Sequence, residues 1–128
     1  MTLFEIVALY AAINLILAPV LMYRVGQVRI RKKIFLGDGD DPKLFSRIRA
    51  HGNFTENAPL LLIGLFALAS LSALPLVLHI FGGLFTLGRI LHALGMAGTL
   101  RQGRLIGTLS TIISYFGMAI SLIYLIIT

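Results

Sequence analysis

The sequence contains no cysteine. That excludes disulfides, thiolate metal sites and a cysteine nucleophile, so any thiol chemistry here must come from a ligand. Charge is scarce as well. Charged residues make up 12% of the 128 residues and hydrophobic ones 58%, whereas a soluble domain is about half apolar and about one quarter charged. Acids are the scarcest, five against eleven Lys and Arg. Residues 1–23 carry only Glu5, residues 50–88 only Glu56, and residues 105–128 no charge at all. Apolar runs of about 18 residues or more with so few charges are transmembrane candidates. The chain therefore reads as an all-α integral membrane protein, a single four-helix membrane domain over 1–128 with no length left for a soluble one. The first run lacks a basic start and ends in "LMYRVGQ", so it reads as a retained helix rather than a cleaved signal peptide.

The pattern predicts helices over about 3–23, 45–73, 76–95 and 104–127, with Pro19 bending the first. A polar loop is expected over about 24–44. Its basic half ends at Lys33 and its other half, "LGDGDDPK", has turn composition. The aspartates there fail the EF-hand spacing, and no two histidines have metal-site spacing, so no metal is expected. Eight of the eleven Lys and Arg lie between Arg24 and Arg49. Such a cluster beside a membrane helix marks the cytoplasmic side and touches anionic lipid. Arg101 and Arg104 mark the same side, which predicts that both termini are extracytoplasmic. No groove-reading element accompanies the charge, so nucleic acid is not an expected partner.

The stretch "FSRIRAHGNFTEN" carries polar groups into the start of the second helix. Arg49, Asn53 and Glu56 stand at i, i+4 and i+7 and form one stripe. Charges at membrane depth face a bundle interior or a wet cavity and take partners. His51 and Asn57 lie on other sides. Arg89 and His92 share a face of the third helix near its cytoplasmic end, and His79 lies near its outer end. Four or five guanidinium groups against the Glu56 carboxylate leave surplus positive charge that invites an anion. Two readings stand side by side: a ligand site, or a structural clamp that fixes helix register. A small transporter or channel is a third, with little support because no internal symmetry is visible. "GRLIG" matches the small-xxx-small packing pattern.

"RIRAHGNFTENAPLLL" resembles the signature of the MAPEG family, the membrane-associated proteins in eicosanoid and glutathione metabolism, and is most similar to its small bacterial members. Arg49, His51, Asn53, Glu56 and Pro59 fill the pattern, and "LGRILHALGM" resembles the end of the family's third helix with Arg89 and His92 in place. The resemblance implies a homotrimer in the bacterial inner membrane, with glutathione held between neighbouring subunits near the cytoplasmic face. Arg49, Asn53, Glu56 and Arg89 carry over best as its ligands, with His51, His92 and Arg101 beside them. Glu56 would take the peptide's amino group and the arginines its carboxylates. Arg104 resembles, with a one-residue shift, an arginine that stabilises the glutathione thiolate. The implied function is a glutathione transferase or peroxidase toward a lipophilic small molecule. The alternative is a non-enzymatic membrane protein that keeps the fold and uses the stripe as a trimer clamp. Two positions depart from the eicosanoid-forming relatives: Met96 replaces a tyrosine and Gly52 an arginine.

Overall fold

The computed structural model describes residues 1–128 as four helices: α1 (Leu3–Lys32), α2 (Pro42–Ser70), α3 (Pro75–Met96) and α4 (Gly103–Ile127). Only 28 of the 128 residues are buried, while Leu15, Ile16, Phe116 and Ile126 are among many large apolar side chains left open. Water would not tolerate that surface. It is the surface of a bundle solvated by lipid. α1, α3 and α4 are each long and apolar enough to cross a membrane. α2 falls short of that measure because Asn53, Glu56 and Asn57 interrupt its apolar run.

The sequence places the end of the first helix near Tyr23, and the helix instead runs to Lys32. The basic stretch is therefore mostly helical. Lys and Arg are good helix formers, and in the last turn they complement the partial negative charge of the helix end. Lys33 then takes a left-handed conformation and its amide closes onto the carbonyls of Arg29 and Ile30. At about 1.5 Å per residue, α1 is about 45 Å long, against a hydrocarbon core of about 30 Å. Its last turns must protrude.

The connection to α2 is short and pinned at both ends. Arg29 donates to the carbonyls of Ile34 (3.1 Å) and Gly37 (2.8 Å). Asp41 pairs with Lys32 and accepts from the Leu44 amide at 2.8 Å, capping α2 ahead of Pro42. The Lys32 ammonium, then the Leu44 amide, hold the Asp41 carboxyl below its ordinary value.

α2 and α3 form the centre of the bundle, since α1 and α4 do not touch. Leu61, Leu65, Leu68, Leu78 and Phe85 are fully buried between them. On the α1 side, Asn14 donates to the Thr86 hydroxyl (2.9 Å) and to its own-helix Tyr10 carbonyl (2.8 Å). Tyr10 meets His79 at 3.1 Å. The α3–α4 seam is the closest packed. A Cβ on Gly107 would stand 2.4 Å from the Gly88 carbonyl oxygen, and one on Gly103 would stand 2.2 Å from that of Leu91. "GRLIG" is thus a true small-residue seam.

Candidate functional site

α2 presents the stripe, and the stripe divides. Asn53 turns inward, where its side-chain oxygen accepts from Arg89 of α3. Arg89 is 2% exposed. Its second terminal nitrogen donates to the Gly107 carbonyl of α4. The glycine seam makes that bond reachable, because it brings the α4 backbone up against α3. Arg89 thus ties three helices together, with the Phe85 ring 5.6 Å from the guanidinium carbon. No carboxylate neutralises it. Its Nε is buried and has no hydrogen-bond partner.

Arg49 and Glu56 take the other course. They face each other at 3.6 Å on the outer flank of the protomer, with side chains 46% and 58% exposed. Of the stripe expected to face a bundle interior or a wet cavity, only Asn53 turns to the interior of its own protomer. The reason is angular. Small shifts around the axis of α2 separate a residue aimed at α3 from two on the lip beside it. Gly52 sits under the pair, and a Cβ there would lie 3.5 Å from Arg49 and 3.7 Å from Glu56. The absent side chain leaves this lip open.

His92 is buried on the α3 face next to Arg89, and its backbone and Cβ lie against Gly107. His51 is half-buried and makes no side-chain hydrogen bond. Arg101 lies in the exposed turn before α4 and Arg104 in the first turn of α4; neither guanidinium has a protein partner. The expected convergence of arginines on Glu56 is therefore met within the protomer by Arg49. Arg89 lies behind it, and the other two stand free.

One group at this site escaped sequence reasoning. Tyr115 of α4 donates to the Asn57 side-chain oxygen at 2.7 Å. Asn57 in turn donates to the Asn53 carbonyl at 2.7 Å. A polar chain thus runs from Tyr115 through α2 to Arg89. A tyrosine hydroxyl does stand near the site although Met96 fills the expected slot. The only sequence signal was Tyr115 itself, a phenol in the middle of a helix whose one charge, Arg104, lies in its first turn.

This arrangement combines a buried unneutralised guanidinium, an open Arg–Glu pair and an amide between them on a membrane helix. The family model of MAPEG proteins matches residues 7–124, and so spans the whole constellation. The chain belongs to the MAPEG family. It is accordingly a membrane protein of the family concerned with glutathione and eicosanoid metabolism. Two similar relatives are both named inner membrane protein YecN, from Escherichia coli K12 and from E. coli O6:H1 strain CFT073. Each is 30% identical over 104 residues, which covers 81% of this chain and 79% of the relative. No solved structure matches this MAPEG chain.

Proposed function

We propose that this MAPEG protein binds glutathione between neighbouring copies of itself in an inner membrane, as a homotrimer. We further propose that it acts as a glutathione transferase or peroxidase toward lipophilic electrophiles. One observation carries the reading: positive charge at membrane depth without an anion. Arg89 is buried with no carboxylate, and Arg49–Glu56 lies open on a flank that lipid alone would solvate badly. A neighbouring protomer and a zwitterionic peptide with two carboxylates would satisfy both needs.

In this reading Glu56 accepts from the peptide's amino group, and Arg49, Arg89 and the free Arg101 take its carboxylates. Asn53 is held in position by Arg89, and His51 and His92 border the site. A free thiol titrates near about 8.5, and a guanidinium beside it favours the thiolate. Arg104, unpartnered at the start of α4, is the residue assigned to that task. The thiolate sulfur then bonds to the electrophilic carbon, and the leaving group departs with its electron pair. An open, largely apolar groove of about 290 Å³ between α1 and α2, lined by Ala18, Phe54, Ala58 and Leu62, supports an apolar second substrate. The positive-inside rule puts the basic stretch at the cytoplasmic leaflet, against anionic lipid, and both termini outside.

Calorimetry of the detergent-solubilised protein with glutathione is the test. Saturable binding that Arg49→Ala and Glu56→Ala weaken supports the site. Absence of binding in the wild-type trimer refutes it. The second reading, a structural clamp without catalysis, is favoured by the way Arg89 ties α2 to α4. It predicts that the same substitutions loosen assembly while no glutathione binds.

A further inference from the structure

The basic end of the bundle carries a cavity that the glutathione reading does not use. It is open, about 590 Å³, and lies between the end of α1, the first turns of α2 and the turn after α3. Arg24, Lys43 and Arg47 line it together with Ser46 and Thr99, and no carboxylate does. Asp41, the acid at the start of α2, is engaged by Lys32 and by the Leu44 amide. Arg47 is anchored through one nitrogen, which donates to the Arg24 carbonyl (2.7 Å) and to Gln27 (3.4 Å). Its remaining nitrogens, and the side chains of Arg24 and Lys43, have no protein partner. Beneath the cations the crevice narrows to about 10 Å³ between Leu21, Ala50, Ala93 and Met96, so an occupant stays in the mouth.

This is a different face from the candidate glutathione site. Two residues along a helix, Arg47 projects roughly 160° around α2 from Arg49. Three cations in one concavity repel each other unless they share an anion, and guanidinium forks suit phosphate oxygens. Arg24 is the first charge after the apolar run of α1. The cavity therefore lies where hydrocarbon ends and lipid phosphates begin.

We propose that this cavity binds a phosphate ester, the headgroup phosphate of an anionic membrane lipid, through Arg24, Lys43 and Arg47. The Ser46 and Thr99 hydroxyls donate to its oxygens. The inference is independent of glutathione binding.

The test is native mass spectrometry of the full chain in detergent, titrated with phosphatidylglycerol, phosphatidylcholine or soluble glycerol phosphate. One saturable phosphatidylglycerol per protomer is expected, and no retained phosphatidylcholine. The double variant Arg24→Gln with Lys43→Gln should weaken retention by about tenfold, the size of two partly exposed charge contacts. The charge-matched Arg31→Gln with Lys33→Gln should not. Arg47 is left intact in both because its bond to the Arg24 carbonyl joins α1 to α2. Glycerol phosphate that binds with the same dependence also supports the site and assigns it to a soluble ester, whereas binding of the lipid alone assigns it to the headgroup. Equal weakening by the two double variants, or no saturable binding, overturns the proposal.

Discussion

Gly107→Ala tests the scaffold of the site. The added Cβ would stand 2.4 Å from the Gly88 carbonyl oxygen, 2.5 Å from the His92 Cβ and 2.9 Å from the His92 nitrogen. Two of the three obstacles are backbone atoms of α3, so no rotamer change relieves them. The helices must part by about 1 Å to restore ordinary contact, and overpacking of this kind costs about 1–3 kcal/mol. Parting α4 from α3 also pulls the Gly107 carbonyl from Arg89. A buried charged donor that loses its acceptor adds about 1.5–3 kcal/mol. The expected total is about 3–5 kcal/mol, seen as a lower midpoint of thermal unfolding in detergent. Gly26→Ala is the control, since nothing lies within 4 Å of a Cβ there. It should be neutral or stabilise by about 0.4–1 kcal/mol. A Gly107→Ala protein as stable as the wild type would show that the α3–α4 seam does not support Arg89 as argued.

Arg49→Ala should weaken glutathione binding by about 2 kcal/mol, roughly 30-fold, the low end for a charge contact because the side chain is half-open in the protomer. Calorimetry on intact trimers with unchanged affinity would remove Arg49 from the site. Reporter fusions at Thr128 should respond as extracytoplasmic; a cytoplasmic response would invert the assigned topology. The Asp41 carboxyl is held below its ordinary value of 3.8, so its contribution to the α1–α2 connection is present above that value and is lost as pH falls through the lower, folded-state value. Proteolysis of the connection should accelerate in acid for the wild type, and Asp41→Asn should behave at neutral pH as the wild type does in acid. Arg104→Ala should raise the pH at which the thiolate absorbance of bound glutathione appears, with Arg101→Ala as the control. If neither change moves that titration, the start of α4 and the turn before it play no part in thiolate activation.

The helices were legible because lipid leaves a plain signal: long apolar runs with almost no charge. The charged stripe was legible for the same reason, since Arg49, Asn53, Glu56 and Arg89 stand out against it. Legibility ended where polarity was equated with loop. Residues 24–32 read as a connection because they are basic, yet Lys and Arg stabilise the end of a helix, and α1 continues through them. Pairings across distant segments left no mark either. Asn14 with Thr86 and Asn57 with Tyr115 join residues 72 and 58 apart, and each member alone is an ordinary polar residue in an apolar helix.

The division of the stripe is the most instructive case. Helical spacing put Arg49, Asn53 and Glu56 on one face but said nothing of what that face meets. Within the protomer, Asn53 meets Arg89, while Arg49 and Glu56 meet only each other at 3.6 Å. At that separation, and half-open, the pair contributes little to stability in water. At membrane depth it would be costly if lipid were its only neighbour. A second protomer laid over this flank would change the balance, because it would exclude lipid and close a polar chamber around the pair. Arg101 and Arg104 fit the same logic, since both stand at the start of α4 without a partner in their own chain. Arg49, Glu56, Arg101 and Arg104, left open by the isolated protomer, are therefore those the glutathione reading needs between subunits. Crosslinking across that flank, from a cysteine placed at Gly52 to one in the first turn of α4, should yield covalent trimers. Crosslinks that stop at dimers would leave the pair without its cover and take the intersubunit site with it.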